Sequence, residues 1–251
     1  MRRDPTPVQT LADLIRGRQP CVVLTGAGVS TESGIPDFRS PTGVWARFDP
    51  QEYATIDAFR GNPAKVWEFY APRVSMLIGA EPNAAHHAIA ELQRRGLVEA
   101  VVTQNIDLLH ERAGSREVVE VHGSIRSFTC LQCGAGYELS YVLRQLHAAR
   151  DEPPRCASCA AVVKPDVVFF GELLPERALE RAFTLARGAG LLLVVGSTLE
   201  VWPVADLPGE TLRHGGSLAI VNLGPTACDR QAELRIEGSA GEILPAVVEA
   251  L

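Results

Sequence analysis

The sequence contains no apolar run approaching the roughly 18 residues that a membrane-spanning helix requires. Its opening stretch, MRRDPTPVQTLADLIRG, lacks the continuous apolar core of a secretory signal peptide. Positive charge is also scarce, because 24 Lys and Arg stand against 30 Asp and Glu and leave a net charge of −6. We therefore expect a cytoplasmic protein without membrane attachment, and the acidic balance argues against nucleic acid as a general partner.

Apolar residues are abundant by contrast, at 46% of the 251 residues, which is enough for a large folded core. Several short apolar runs could be buried on both faces, as parallel strands covered by helices are. The predicted strands are CVVLT (21–25), EAVVTQN (99–105), EVVEVHG (117–123), VVFFG (167–171), LLLVVGS (191–197) and LAIVNL (218–223). Helical segments such as 83–96 and 175–190 lie between them and end in glycine. This alternation predicts an α/β fold with a doubly wound parallel sheet.

Two regions interrupt the alternation of strands and helices. Residues 44–80 contain Trp45, Trp67 and Tyr70 and have the pattern of a helical insertion, and residues 128–163 contain four of the six cysteines. We therefore expect a large domain that carries a smaller one.

The four clustered cysteines form two Cys-x-x-Cys pairs, Cys130 with Cys133 and Cys156 with Cys159. Two such pairs typically hold one tetrahedral Zn²⁺, and a site closed by four thiolates is structural because no position remains for substrate. Two disulfides are the alternative, but the absent secretion signal disfavours them. A thioredoxin-like redox centre would need only one of the pairs.

A glycine-rich turn follows the first predicted strand, with Gly26, Ala27 and Gly28 in succession. Glycine at a strand-to-helix turn lets backbone N–H groups approach a pyrophosphate. The dehydrogenase fingerprint G-x-G-x-x-G is absent, because its third glycine would fall at Thr31. A tight turn without a ligand is the alternative interpretation.

Among the six histidines, His122 directly follows a predicted strand and precedes Gly-Ser. Parallel α/β sheets expose catalytic side chains at this carboxyl edge, and an imidazole can accept a hydroxyl proton near neutral pH. His110 is interpreted as structural. The remaining histidines have patterns typical of helix surfaces, and they are His86, His87, His147 and His214.

The stretch VWEFYAPR places Tyr70 and Arg73 three residues apart, so that on a helix they could share one face and grip one anion. The same pair could equally be a solvated helix edge, which is the commoner arrangement.

Seven motifs occur along nearly the whole chain. They are GAGVSTESGIPDFRS, TQNIDLLHERAG, VHGS, the two Cys-x-x-Cys pairs, KPDVVFFGE, GSTLEVWP and IVNLGPTACD. In this order and spacing they resemble the sirtuins, a family of NAD-dependent protein lysine deacylases. The resemblance implies a Rossmann-type NAD-binding domain in residues 1–43, 81–127 and 164–251. It also implies a small domain made of the helical insertion 44–80 and the zinc-binding module 128–163, with the active site between the two domains.

The resemblance also implies roles for individual residues. His122 and Asn105 would be catalytic, and Phe38 would cover the reacting ribose. The residues implied to contact NAD are Gly26, Ala27, Gly28, Thr31, Asp37, Phe38, Arg39, Trp45, Gln104, Asn105, Ile106, Asp107, Gly196, Ser197, Thr198, Asn222, Leu223, Gly224 and Ala240. Phe170, Gly171, Glu172 and Val201 resemble the two edges between which a substrate peptide adds as a strand.

In the mechanism that the resemblance implies, an acyl-lysine amide attacks the ribose as nicotinamide leaves. His122 then helps a ribose hydroxyl attack the resulting imidate, which yields lysine, nicotinamide and O-acyl-ADP-ribose. A mono-ADP-ribosyltransferase, a plain deacetylase and a non-enzymatic NAD-binding module with a zinc ribbon are the alternatives. The expected partners are acylated lysines of proteins, and we expect a monomer.

One subgroup, which removes malonyl, succinyl and glutaryl groups, is marked by an alanine followed by Tyr-x-x-Arg in the small domain. Ala54, Tyr70 and Arg73 match that pattern in spacing. Thr31 and Asp37 instead resemble the deacetylase branch. The sequence therefore predicts both activities, with acidic acyl groups preferred.

Overall fold

The computed structural model describes residues 5–149 and 152–251 and contains nine strands within them. The strands are β1 (Cys21–Thr25), β2 (Ala100–Thr103), β3 (Val118–Glu120), β4 (Gly123–Thr129), β5 (Gly136–Glu138), β6 (Lys164–Val167), β7 (Leu191–Val195), β8 (Ser217–Asn222) and β9 (Leu234–Glu237). Six of them form one parallel sheet in the order β3-β2-β1-β7-β8-β9. From β1 the chain adds strands outward on one side as far as β3, and then returns to add β7, β8 and β9 on the other side. This strand order is that of a Rossmann-type fold and confirms the predicted fold class.

Ten α-helices occur in the described residues. They are α1 (Pro7–Gly17), α2 (Pro50–Tyr53), α3 (Ile56–Gly61), α4 (Pro63–Gly79), α5 (Ala84–Arg94), α6 (Leu109–Arg112), α7 (Leu139–Ala148), α8 (Glu176–Gly188), α9 (Leu207–Arg213) and α10 (Ala240–Ala250). Short 3₁₀ helices span Ala27–Ser33, Val44–Ala46, Val204–Asp206 and Asp229–Gln231. None of the helices in the described ranges combines the length and apolarity needed to cross a lipid bilayer.

Side-chain caps begin several of the helices. The Thr6 hydroxyl accepts the Gln9 N–H at the start of α1, and the Asn83 side chain accepts the Ala85 and His86 N–H groups at the start of α5. Each cap satisfies amides that have no partner within the helix.

The parallel sheet is covered on both faces, because alternate residues of each strand point to opposite sides. On one face Val23 of β1 packs with Ile89 of α5 and Leu244 of α10. On the other face Leu24 of β1 packs with Leu185 of α8. All these side chains are buried, so the sheet lies between two apolar cores, one on each of its faces.

A second, antiparallel sheet has the order β5-β4-β6 and packs with α3, α4 and α7 around a separate apolar core. This sheet takes in residues on both sides of the boundaries predicted at 127/128 and 163/164. The predicted division into domains therefore stays a prediction.

Two details of the predicted sheet are wrong. Residues 167–171 do not form a strand of the parallel sheet: β6 ends at Val167, pairs antiparallel with β4, and leads into a turn at Gly171. The sixth parallel strand is instead β9, which the search for apolar runs missed. Its sequence, LRIE, is short and only half apolar because it lies at the sheet edge.

Candidate active site

One cavity of about 720 Å³ lies at the carboxyl ends of β1, β2, β7 and β8 and is closed on one side by α4. Its lining includes every residue predicted above for catalysis, NAD binding or substrate binding. Open α/β sheets bind ligands where the strand order reverses, and β1 and β7 flank that point. The tertiary fold thus brings all three predicted groups into one cleft.

The glycine turn after β1 is pressed against the turn after β7. The Gly28 N–H donates to the Gly196 carbonyl at 2.9 Å, and a Cβ added to Gly28 would lie 2.8 Å from the Gly196 Cα. Gly196 itself has a φ of +62°, and a Cβ there would lie 2.3 Å from the Val29 nitrogen. These glycines are therefore required by backbone contact between two loops, in addition to any role toward a phosphate.

Behind the turn, three polar side chains form a hydrogen-bonded group. The Ser30 hydroxyl donates to the Asp107 carboxylate at 2.7 Å, and the Asn105 amide donates to Ser30 at 3.0 Å and to the Gly26 carbonyl at 3.2 Å. Burial raises the pKa of Asp107, which the hydrogen bonds from the Leu109 N–H and Ser30 oppose. Ser30 had no predicted role, although it lies inside the glycine-rich motif.

Two buried histidines extend this group into the core. His86 is fully buried, so its interpretation as helix surface is wrong: its ring lies 3.4 Å from the Ser30 hydroxyl and packs edge-on against His110. The signal was present, because His86 is one helical turn before the buried Ile89. His110 is structural as predicted, since its Nε2 meets the Thr25 hydroxyl at 2.9 Å.

His122 lies between β3 and β4, directly after the parallel sheet. Its Nδ1 is 3.1 Å from the Gln104 carbonyl, which can only accept, so Nδ1 carries the proton and Nε2 is left as an acceptor. Burial lowers the pKa of the imidazole, and the hydrogen bond to Gln104 opposes that shift. The ring is therefore neutral near pH 7 and oriented as a proton acceptor.

The loop after the 3₁₀ helix Ala27–Ser33 forms the rim of the cavity. The Asp37 carboxylate accepts the N–H groups of Arg39 and Ser40 at 3.0 and 2.7 Å, so it shapes the loop. The Arg39 guanidinium pairs with Glu200 at 3.3 Å, across the cleft. Glu200 had no predicted role, because nothing local in the sequence links it to Arg39.

Aromatic rings connect this rim to the helical insertion. Trp45 packs against Phe38 at 5.2 Å between ring centroids and against Phe69 of α4 at 6.0 Å. The Phe38 ring is 38% exposed and lines the cavity, so it is available to cover a bound ligand.

At the other end of the cavity, the Asn222 amide donates to the carbonyls of Leu223 and Gly224, both at 3.0 Å. Glu32 was also missed: its carboxylate accepts from the Ser239 hydroxyl and the Gly241 N–H, which joins the 3₁₀ helix to the start of α10.

Ala54, Tyr70 and Arg73 line the side of the cavity formed by the helical insertion. Tyr70 is 8% exposed and stacks on Phe169 at 5.1 Å, so it is not a solvated helix edge. Arg73 is half-buried, with its guanidinium 3.4 Å from the Phe69 ring centroid. The two side chains are brought together as the sequence pattern predicts.

The four predicted metal ligands lie in the zinc-binding module. The Sγ atoms of Cys130, Cys133, Cys156 and Cys159 all lie within 4.8 Å of one another. A tetrahedral Zn²⁺ with four thiolates needs sulfur atoms about 3.8 Å apart, so the cluster fits one ion. Helix α7, between the two cysteine pairs, packs the buried Val142 in the same core. Saturation by four thiolates gives the metal a structural role.

The model of the Sir2 family matches residues 26–203. The chain belongs to the Sir2 family. The NAD-dependent protein deacylase 2 of Archaeoglobus fulgidus is 46% identical to this sirtuin over 243 residues, which cover 96% of this chain and 95% of the relative.

Solved structures show the same fold. One, from work on the mechanism and regulation of Sir2 enzymes, has a TM-score of 0.92 and 46% identity, with 97% of each chain covered. Another, a complex of Sir2 with a p53 peptide and NAD⁺, has a TM-score of 0.88 and 41% identity, with 96% of each chain covered.

The cleft of this sirtuin fits NAD by the chemistry of its donors. The 3₁₀ helix Ala27–Ser33 begins at Gly26 without a side-chain cap, and among the described residues its first amide, the Ala27 N–H, has no acceptor and is left for an anion. Arg39 adds a cation at the rim, and Asn105 and Asp107 place amide and carboxyl groups at the buried end. NAD supplies the electrophilic ribose carbon, whereas these residues would hold and orient it.

Proposed function

We propose that this NAD-dependent protein deacylase of the Sir2 family removes succinyl and malonyl groups from protein lysines in preference to acetyl groups, and that it also deacetylates. The observation that carries the proposal is a cation and a phenol, Arg73 and Tyr70, that line the same cavity as His122. Neither side chain is needed to bind an acetyl group, whereas both can donate to a carboxylate at the end of a longer acyl chain.

Arg73 lacks a carboxylate partner among the residues that the structure describes. Its Nη1 donates to the Phe69 carbonyl at 2.8 Å, and its guanidinium lies 3.4 Å from the Phe69 ring centroid and 4.7 Å from that of Phe48. Burial lowers the pKa of the Arg73 guanidinium to about 10, and repulsion from the neighbouring Arg47 contributes to the shift. This pKa is still well above 7, so Arg73 remains charged at neutral pH. A bound acyl carboxylate would supply the missing counter-charge, which an acetyl group cannot do.

Tyr70 contributes a hydroxyl to the same wall. Burial raises the pKa of this phenol, so it stays protonated and can donate a hydrogen bond. Ala54 occupies little volume beside it, and the Ala54 carbonyl accepts the Phe170 N–H at 2.8 Å. The pocket wall is therefore continuous with the edge at which we expect the substrate peptide to add.

His122 provides the proton acceptor for deacylation. With Nδ1 held by the Gln104 carbonyl, Nε2 can take the proton of a ribose hydroxyl. The solved Sir2 complex with a peptide and NAD⁺ supports the same class of substrate for this chain.

The proposal is tested by measuring kcat/KM for succinyl-, malonyl- and acetyl-lysine peptides of one sequence. Arg73→Met removes a charge-assisted hydrogen bond of about 1.5 to 3 kcal/mol, so the succinyl rate should fall roughly 10- to 100-fold. Tyr70→Phe removes a neutral donor of about 1 kcal/mol and should lower the same rate about fivefold. The acetyl rate should change less than about threefold in both variants.

Arg60→Met is the matched control, because Arg60 is an exposed arginine of α3 that pairs with Asp57 on the same helix and does not line the cavity. It should leave both rates unchanged. If Arg73→Met left the succinyl-to-acetyl ratio as in the native protein, the acyl preference would be refuted. Mass spectrometry should find O-acyl-ADP-ribose, whereas ADP-ribosylated protein without it would favour the transferase.

A further inference from the structure

Lys164, the first residue of β6, carries a buried ammonium group. The residue is 5% exposed, and its Nζ donates to the Pro165 carbonyl at 3.0 Å, the Val167 carbonyl at 2.8 Å and the Glu172 carboxylate at 2.8 Å. An ammonium has three N–H donors, so all of them are used. A charge buried with complete pairing is expensive to keep, and such a group is most useful where it holds a defined geometry.

The acceptor of this charge closes a turn. The Glu172 carboxylate accepts the Phe169 N–H at 2.8 Å in addition to Lys164, and the Glu172 N–H donates back to the Phe169 carbonyl at 3.0 Å. Gly171, at the third position of this four-residue turn, has a φ of +87°, as a type II turn requires. Glu172, which was predicted to contact the substrate, lines the cavity, and its carboxylate also holds this turn through the Phe169 N–H and Lys164.

The turn presents two surfaces to the cleft. Phe169 is buried, and its ring stacks on Tyr70 with its centroid 4.1 Å from the Lys164 Nζ. Through this ring the turn packs directly against the acyl pocket. The exposed Phe170 is joined to the helical insertion by its backbone, since its carbonyl accepts the Ile56 N–H at 3.0 Å. Both surfaces are therefore connected to the turn that the ion pair holds.

We propose that Lys164 and Glu172 are positioning residues for the substrate: their buried ion pair holds the Phe169–Glu172 turn in the conformation that accepts the acyl-lysine peptide. The inference rests on the deacylase function and on peptide addition at Phe170, and it is independent of the acyl group preferred. Neither Lys164 nor Glu172 has to touch the substrate. Their effect should appear mainly in peptide binding. NAD binding should change less, because most of the NAD residues lie on the loops after β1, β2, β7 and β8, and only Trp45, with its ring centroid 6.5 Å from that of Phe170, packs near the turn.

The test compares Lys164→Met, Glu172→Gln and Lys164→Arg with the native protein. Arg187→Met is the matched control, because Arg187 forms an ion pair with Glu210 between α8 and α9 and does not line the cavity. Fluorescence anisotropy of a labelled acetyl-lysine peptide gives the peptide Kd without turnover, and steady-state kinetics give the KM for NAD. Thermal unfolding shows whether each variant is folded at the assay temperature.

Lys164→Met should raise the peptide Kd about tenfold and change the KM for NAD less than about twofold, because only the peptide edge loses its support. Lys164→Arg, which keeps the charge, should recover at least half of that loss on a logarithmic scale. Glu172→Gln, which can still accept the Phe169 N–H, should raise the Kd about threefold to tenfold. It carries the test if Lys164→Met does not fold.

A peptide Kd within about twofold of native in Glu172→Gln and in folded Lys164→Met would overturn the proposal. Equal losses toward peptide and NAD, or equal losses in Lys164→Met and Lys164→Arg, would also overturn it. Failure of the acyl preference is separately visible, because it would change the response to Arg73→Met on succinyl peptides and leave the acetyl-peptide Kd untouched.

Discussion

Acidification should destabilise this sirtuin through two histidines that sit side by side in its core. His86 and His110 are at most 1% exposed, with ring centroids 4.9 Å apart. Burial lowers the pKa of His86 to about 4 and that of His110 to about 3. Repulsion from His87 adds to the shift of His86, and repulsion from His86 adds to the shift of His110. Both rings are therefore neutral in the folded protein at any pH near neutrality.

Unfolding returns both imidazoles to the ordinary pKa of about 6.5, so below that pH the unfolded chain binds protons that the folded chain does not. The stabilisation is fully present above about pH 6.5 and is lost as the pH falls toward the lowered pKa values. At about pH 5.5 each histidine lowers the free energy of unfolding by about 1.4 kcal/mol, or about 2.8 kcal/mol for the pair. The figure is insensitive to the folded pKa values, because both lie well below that pH.

The assay is urea unfolding at about pH 7.5 and about pH 5.5 of the native protein, His86→Gln and the control His87→Gln. His87 is exposed on the same helix, next to His86, so its replacement should leave the pH difference unchanged. His86→Gln should lower stability at both pH values, because it loses its contacts with Ser30 and His110, but should reduce the difference between them by about 1.4 kcal/mol.

The refuting result is a pH difference in His86→Gln equal to that of the native protein. It would mean that the imidazole of His86 is protonated in the folded state, and the burial argument would fail. A difference reduced equally by His87→Gln would show that the effect belongs to helix charge in general.

Three further predictions follow from the site. Gly196→Ala should raise the Kd for NAD at least about tenfold, because a Cβ would collide with the Val29 nitrogen in a left-handed backbone conformation; isothermal titration with NAD checks this. Tyr137→Phe should speed loss of Zn²⁺ to a chelator, since the phenol lies 3.0 Å from the Cys156 Sγ; a colorimetric zinc assay that shows no change would contradict it. The acidic limb of the pH profile of kcat/KM should lie below about pH 6.5, because burial lowers the pKa of His122; a limb above it would be inconsistent with that shift.

Chemistry carried by neighbours in sequence was predictable. Cys130 and Cys133, and likewise Cys156 and Cys159, lie on short knuckles whose spacing alone suits one metal ion, and the structure gathers all four. Tyr70 and Arg73 share a face of α4 because residues three apart do so on any helix. The buried strands were visible as apolar runs for the same local reason.

Partners distant in sequence were not predictable. Arg39 meets Glu200, Glu32 meets Gly241, and Lys164 meets Glu172 through a turn whose shape depends on tertiary packing. Residues 167–171 were wrongly assigned to the parallel sheet, because an apolar run does not state which neighbour it will pair with or whether it forms a strand.

The sequence of this protein specified its local elements, its metal ligands and, through the resemblance of its motifs, the residues of its cleft. Folding decided which polar groups are buried, which ion pairs form, and that glycines at 26, 28 and 196 meet backbone to backbone. The division has a physical origin. Local spacing sets the direction of a side chain on its own helix or strand, whereas burial and pairing depend on elements that the chain brings together only when the sheet and its two layers are complete.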